Sequence, residues 1–422
     1  MSPTAEQIRD ADLGLAEQDR PQLVVALSAL LGRDGLDRAI DTIPAPVLRE
    51  LARPGVDPTG VLTAFLVEQA RTGHVPGKGS PSAEAAARAV AATGNERAAD
   101  ALDEAGYQLM ETPFAPTSAV YFQACVTVRE ALWAANPDHV DVGDSLGMTL
   151  NNLGLLLHPA GRVAEAETAF RRSVRIYEAL WCANTDRAGI GAGLGRALNN
   201  LANLLREVGR LAEAEQAFGR SLPIYEALRA ANPDNVGVGV GLGMALNNLG
   251  NLLRDAGRVA EAEQAYRRAM QIAEALWDAN PDLVGIGDRL AKALNSLGIL
   301  LHEAGRAAEA EQAYRRAVQT AEALWHANPD QLGVADGLGG ALNSLGILLH
   351  EAGRAAEAEQ AYRRAGEIGE ALWAANPDQL GVADGLACVL SNLAVLLGDA
   401  GRLAEAEQAD HRAGQIREAV TG

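Results

Sequence analysis

The phrase Ala-Asn-Pro-Asp ends at Asp138, Asp234, Asp282, Asp330 and Asp378, and Asn184-Thr185-Asp186 fills the one gap in the series. Successive copies lie 48 residues apart. Gly-Arg pairs beginning at 161, 209, 257, 305, 353 and 401 keep the same step without an insertion. A fixed period of this size marks one supersecondary unit that cannot bury its apolar face alone and must stack on its neighbours. Two adjacent copies, 291–338 and 339–386, differ at only seven positions, which implies recent duplication. Six copies are full. A seventh, over about 99–138, keeps Leu102, Gly106, Leu109, Phe122 and Trp133 in register but has Pro113-Phe114 in place of Gly-Arg.

One copy, 243–290, shows what each unit is. Leu246, Leu249, Leu252 and Leu253 fall on one face of an α-helix. Gly257 ends that helix, since Gly readily takes the left-handed conformation just past a helix C-terminus. Val259, Ala262, Ala265, Tyr266, Ala269, Met270, Ala273, Leu276 and Trp277 form a second apolar stripe among strong helix formers. Glu263 and Arg267 sit one turn apart in the favourable order. Asn280-Pro281-Asp282 closes the helix, because a residue before proline is driven out of the α region. Each copy is therefore expected to be an antiparallel helix pair.

Leu246, Leu249-Gly250, Leu253, Gly257, Ala262, Tyr266 and Ala269 resemble the tetratricopeptide repeat, a helical pair of about 34 residues. The pattern recurs in every full copy, with Ala202 and Ala394 standing in for the Gly, and covers about 99–422. The departure is length. Pro281 follows Ala269 by twelve positions, and Leu294 is displaced from the Pro by a further heptad. Each helix has thus gained seven residues, two turns, which returns the stripe to nearly the same face. Elongated repeats of this kind are similar to those of kinesin light chains. The resemblance implies an all-α, right-handed α-solenoid of seven antiparallel helix pairs, the first degenerate. Each helix of about 20 residues should span roughly 30 Å.

Residues 1–80 lack the period and read as a small helical N-terminal domain or cap, with helices near 5–18, 22–32, 35–52 and 58–72. Asp57 and Pro58 would cap and open the last of these. Residues 75–82 read as a linker, 81–98 as linker and lead-in helix, and 99–422 as the repeat array. Near the chain end, Asp410 replaces the Tyr or Phe of other copies, as expected of a terminal unit that must stay soluble.

Net charge and composition exclude several functions. With 36 Lys+Arg against 55 Asp+Glu and a net charge of −19, the chain lacks the clustered cations that nucleic acid or an anionic membrane requires. Only Lys78 and Lys292 are lysines, an arginine bias pointing to a bacterial source of high GC content. Cys125, Cys182 and Cys388 are too scattered for a disulfide framework or a zinc site. The start is acidic and has no signal-like apolar run. The best apolar stretch, Leu23 to Leu31, is far short of the ~20 residues that span a bilayer. A cytoplasmic protein is expected.

No catalytic, cofactor or metal residues emerge. Gly73-His-Val-Pro-Gly77-Lys78-Gly79 has the wrong spacing for a phosphate loop and no Ser/Thr after it. Gly189 to Gly195 and Gly237 to Gly243 alternate, and read as loosened first turns of helices. His158, His302 and His350 share a register, but Arg206 and Arg254 intervene, so a solvated helix end is expected rather than a metal site. The aligned Trp133, Trp181, Trp277, Trp325 and Trp373, with Arg229 the exception, suit contacts between repeats.

What remains is a recurring amide pair in mid-helix: Asn151-Asn152, Asn199-Asn200 and Asn247-Asn248, with Asn295-Ser296, Asn343-Ser344 and Ser391-Asn392 as variants. Asn disfavours helix interiors because its side chain competes for backbone hydrogen bonds. The first member is expected to bond between repeats. The second members, Asn152, Asn200, Asn248, Ser296, Ser344 and Asn392, are expected to line a concave groove. The resemblance implies that such a ladder grips an extended peptide by its backbone. An amide matches a peptide group with both donor and acceptor. Arg196, Arg206, Arg254 and Lys292 face Glu207, Asp255, Glu303 and Glu351 there, so the family's carboxylate-clamp pattern is not reproduced. The reading is a non-enzymatic protein-interaction scaffold with a protein or peptide partner and no cofactor, a monomer or weak homo-oligomer. The alternative is a regulatory or adaptor module whose N-terminal domain docks an effector such as an NTPase or a protease.

Overall fold

A computed structural model describes residues 43–51, 56–71, 81–110, 112, 114–327, 332–375 and 380–421. The helices expected at 5–18 and 22–32, and most of the linker expected at 75–82, fall outside those residues. Among the described residues there are seventeen helices and no strand. The chain divides into two compact units, Met1–Leu204 and Leu205–Gly422.

In the first unit, α1 (Ala45–Leu51), α2 (Pro58–Arg71) and α3 (Pro81–Ala91) precede α4 (Glu96–Leu109) and α5 (Ala115–Ala135), the degenerate first pair. Asp57 caps α2 as expected, accepting from the Thr59 and Gly60 amides at 3.1 and 3.0 Å. The lead-in is not continuous with the array: Gly94 at φ 68° separates α3 from α4, which Asn95 caps through the Ala98 amide. α1 to α3 share one core with the first pair, in which Leu48, Leu62, Leu66, Leu102 and Tyr121 are sealed from solvent. The Tyr121 hydroxyl donates to the Leu66 carbonyl at 2.6 Å, joining α5 to α2. The next pair is α6 (Val140–Leu157) with α7 (Val163–Ala183), followed by α8 (Ala188–Glu207), within which the division between units falls.

The second unit continues with α9 (Leu211–Ala231) and then four pairs: α10 (Val236–Asp255) with α11 (Val259–Ala279), α12 (Val284–Glu303) with α13 (Ala307–Ala327), α14 (Leu332–Glu351) with α15 (Ala355–Ala375), and α16 (Leu380–Asp399) with α17 (Leu403–Thr421). Each pair packs within itself, each second helix packs on the next first helix, and the first helices α10, α12, α14 and α16 touch in series. That serial stacking is the solenoid arrangement.

Two local devices repeat. At the hairpin, Gly257 sits at φ 73°, where a side chain would strain the backbone, and the Arg258 amide closes the turn on the Leu253 carbonyl at 2.8 Å. Gly161, Gly209, Gly305, Gly353 and Gly401 do the same. Between the helices of a pair, an aromatic ring lies on a glycine. A Cβ on Gly250, Gly298 or Gly346 would come within 2.6 Å of the ring of Tyr266, Tyr314 or Tyr362. At the last pair Ala394 replaces the glycine and Asp410, exposed, replaces the ring, so the Cβ has no ring to meet.

From Arg258 onward the arginine of the turn locks neighbouring second helices together, Arg258 reaching Glu215 at 2.6 Å. Arg354 reaches Glu357 on its own helix at 2.6 Å and Glu311 on the preceding second helix at 2.6 Å. Arg402 repeats this with Glu405 and Glu359, and Arg306 with Glu309 and Glu263. Glu357, Glu405 and Glu309 stand in first turns, where the helix dipole favours a carboxylate.

Two sequence expectations change. The Gly-rich segments are helical from Ala188 and Val236 onward. Gly193 and Gly241 make room for the rings of Tyr177 and Tyr225, which loosened turns would not seat. Second, α10 and residues 381–399 of α16 are long and apolar enough to cross a membrane by length and composition, at mean hydropathy 1.3 and 1.7. A search for uninterrupted apolar runs misses them because Gly and Asn are interspersed. Their apolar character has a local cause: first helices pack against second helices on both sides, burying Leu242, Leu246, Leu252 and Leu253 in α10.

Replacing Gly298 by Ala forces a methyl into the Tyr314 ring and should cost about 1–3 kcal/mol in urea unfolding. Glu311 is held below the usual carboxylate range by hydrogen bonds from Arg315 and Arg354, and Glu359 likewise by Arg402 and Arg363. Their folded values lie below the unfolded one. The stability they contribute is therefore full above about pH 4.5 and lost as pH falls through the folded values. Melting temperature should drop on acidification below pH 4.5, and Glu311→Gln with Glu359→Gln should flatten that drop.

Candidate functional site

The amide register has its own geometry. In the first unit, Asn200 Nδ2 donates to Asn151 Oδ1 at 2.9 Å; in the second, Asn392 Nδ2 donates to Asn343 Oδ1 at 2.9 Å. The bond thus joins the second amide of one copy to the first amide of the copy before it, a step of 49 residues. Both members of the pair take part in the contact between repeats. Asn392 Nδ2 also donates to Cys388 Sγ at 3.9 Å, and Asn152, Asn200, Asn248 and Asn392 are all half-buried.

Where the second member is Ser, the contact fails. Ser344 Oγ turns to its own helix and donates to the Gly340 carbonyl at 3.0 Å. A hydroxymethyl is too short to reach the preceding repeat. In those copies Asn247 Oδ1 and Asn295 Oδ1, the acceptors that Ser296 and Ser344 would have to meet, are buried without a partner. Ser296 and Ser344 are themselves half-buried.

About two turns further along the first helices, charges pair between successive copies. Arg206 meets Asp255 at 2.8 Å, His302 meets Glu351 at 2.8 Å, and His350 meets Asp399 at 3.1 Å. His302 and His350 are therefore bound to the next repeat rather than standing in open solvent. Among the described residues no His, Cys, Asp or Glu cluster could hold a metal ion.

The Trp row bridges repeats. Trp277, Trp325 and Trp373 are half-buried and pack on clusters that join successive pairs. Trp373 also stacks under Arg412, whose guanidinium carbon lies 5.0 Å from the ring centroid. In the first unit, Arg129 lies almost wholly buried, bonded to Asp100 and Asp103 at 3.0 and 3.1 Å and to Thr149. Cys125 beside it has its thiol pushed up to about 12, chiefly by burial, so it is neutral at physiological pH.

The second unit holds a cavity of about 430 Å³ on the amide register. Its lining includes Asn247, Asn295 and Asn343 from three successive first helices, together with Ile368, Leu372, Leu386 and Val389. Gly337, Gly339, Gly340 and Gly385 form much of the remaining wall. Sequence reasoning singled out the second members of the amide pair and passed over these glycines and first members. The signal was present in the seven differences between the twin copies.

A Ser344→Asn variant should give Asn295 Oδ1 its missing donor. Urea unfolding should show a gain of about 1 kcal/mol, and Asn392→Ser, which orphans Asn343, a loss of about 1–3 kcal/mol.

A family model of the tetratricopeptide repeat matches residues 146–180, 194–232, 242–276, 290–324, 338–372 and 389–422. No curated protein sequence matches the chain. Among solved structures, aspartyl phosphate phosphatase F from Bacillus subtilis superposes with a TM-score of 0.50 at 11% identity, over 98% of this chain and 92% of that one. BtubC (BKLC) from P. vanneervenii has a TM-score of 0.48 at 22% identity, over 62% of this chain and 92% of its own. At these identities the likeness concerns the fold alone.

Proposed function

The chain belongs to the tetratricopeptide repeat family of protein-interaction scaffolds, and from that premise we propose that it holds an extended peptide segment of a partner protein along the amide register of its first helices. The observation that carries this reading is the set of amide groups left over after the repeats have bonded to one another. Asn200 spends one N–H between repeats and keeps the rest of the amide at a half-buried surface; Asn392 Nδ2 donates to Asn343 and also to Cys388 Sγ at 3.9 Å, and keeps its carbonyl oxygen. Asn247 and Asn295 carry buried carbonyl oxygens with no partner, and both residues line the cavity of the second unit. A peptide backbone supplies donors and acceptors at every residue and satisfies both kinds of group without reading side chains. The role needs no chemistry from the chain, in keeping with a non-enzymatic scaffold.

The N-terminal helices are proposed as a cover for the first pair. Leu62 and Leu66 are buried against Leu102 and Tyr121 in one continuous core, which leaves their apolar faces occupied.

Changing Asn152, Asn200 and Asn248 together to Ala removes three hydrogen-bonding side chains worth about 1 kcal/mol each, so affinity for a partner isolated from the native cell should fall roughly a hundredfold. Calorimetric titration measures this, with a thermal melt to show that the variant folds. A folded triple variant of unchanged affinity refutes the proposal.

A further inference from the structure

We propose that the cavity in the second unit is an anchor pocket for one large apolar side chain of that extended peptide, next to a basic one. This deepens the peptide reading and rests on it.

The cavity lies where two facing registers carry only small side chains, among them Gly337, Gly369 and Gly385. Sixteen residues separate a position on each second helix from the position it faces on the next first helix: Tyr177 with Gly193, Tyr225 with Gly241, Ala273 with Arg289, Ala321 with Gly337, and Gly369 with Gly385. In the first two the tyrosine ring fills the space, lying where a glycine Cβ would stand. In the third, the large side chain has changed sides. In the last two neither partner is large: Leu386 covers Gly369, coming within 2.8 Å of where its Cβ would stand, and Asp288 lies 3.3 Å from the Cβ position of Gly337, while a Cβ on Gly385 would meet nothing within 4 Å.

Divergence of the twin copies has widened this space. Their seven differences replace Ala291, Lys292, Val318, Gln319, Thr320, Ala321 and His326 by Gly339, Gly340, Gly366, Glu367, Ile368, Gly369 and Ala374. Of these new residues, Gly339, Gly340, Ile368 and Gly369 line the cavity. A Cβ on Gly339 or Gly340 would again meet nothing within 4 Å. Gly is a poorer helix former than Ala or Lys, so the changes work against the helix while opening the wall.

The lining selects the occupant. Ile368, Leu372, Leu386 and Val389 make an apolar wall suited to a Leu or Phe side chain. Asn247, Asn295 and Asn343 stand on its edge at intervals of one repeat, a row that fits an extended backbone better than a compact ligand. Asp336 and Asp384 are exposed on the same first helices in equivalent positions, and no ion pair engages either of them among the described residues. Lys292, the one cation in the lining, is tied to Asp288 at 2.8 Å. The rim therefore favours a Lys or Arg beside the anchor.

The test uses the full chain and its Gly339→Ala/Gly340→Lys variant, which restores the residues the twin copy carries at 291 and 292 and so keeps the fold. The probe is an array of synthetic peptides of about a dozen residues, centred on Ala, Leu, Phe or Trp and flanked by Lys or by Glu. The wild type should favour Leu or Phe with Lys flanks over the Ala peptides by about tenfold. The variant should lose that preference with no fall in melting temperature. Cys388 lines the cavity and is exposed, whereas Cys182 is exposed in the other unit. The favoured peptide should slow alkylation of Cys388 by N-ethylmaleimide and leave Cys182 unchanged. Equal preference in wild type and variant, or an unprotected Cys388, overturns the anchor pocket. If binding persists in that case and still depends on Asn152, Asn200 and Asn248, the groove reading survives; if no peptide binds the wild type, both fall.

Discussion

The ring-on-glycine contact inside each hairpin sets the scale of everything else. With no Cβ at Gly250, Gly298 or Gly346, the first helix comes down onto the face of Tyr266, Tyr314 or Tyr362, and the two axes approach as closely as a bare backbone allows. These rings are almost wholly sealed, so they also carry much of the apolar burial per repeat. The contact recurs at one spacing in these three pairs, and Arg306, Arg354 and Arg402 each find a carboxylate on the preceding second helix at 2.6 to 2.7 Å, the last of them in the pair where Ala394 and Asp410 replace the seat.

A lattice of equal units converts sequence register into spatial position. Side chains one period apart stand side by side, so any change of volume at one register must be answered at the register it faces. Tyr225 with Gly241 and Ala273 with Arg289 show that compensation working in opposite directions. Where both sides shrink the gap is filled only in part: Leu386 moves over Gly369, while Gly385, Gly339 and Gly340 still face open space. Structure around a lost side chain relaxes only partially, and in a stack pinned at other layers the remainder stays open.

Much of the fold was legible in the sequence for the same reason. Hairpin boundaries followed from Gly257 and Pro281, and the helix lengths from the extra heptad in each half, because six copies repeated every signal in phase. The apolar character of α10 and α16 was harder to see, since Gly243, Asn247 and Asn248 interrupt the run while the Leu face stays continuous in space. The amide register was half legible. Its recurrence pointed to a purpose, but reading one copy at a time assigned the inter-repeat bond to the first Asn alone. The bond in fact runs over 49 residues, from the second Asn of one copy to the first of another. The cavity was least legible, because it depends on the joint smallness of positions on different helices, and a glycine carries no signal of what it fails to touch.

The same additivity bears on where the array gives way. In a linear stack, stability is close to a sum of hairpin terms and nearest-neighbour interfaces, so a weak interface stays local. The copies containing Ser296 and Ser344 lack the amide bond and leave an acceptor buried without a partner, and the second of them also carries Gly339 and Gly340 in mid-helix. Each of these lowers the free energy needed to open the stack at that point. The copies that lack the amide bond are thus the ones that border the cavity, where Asn247 and Asn295 keep buried oxygens without a partner.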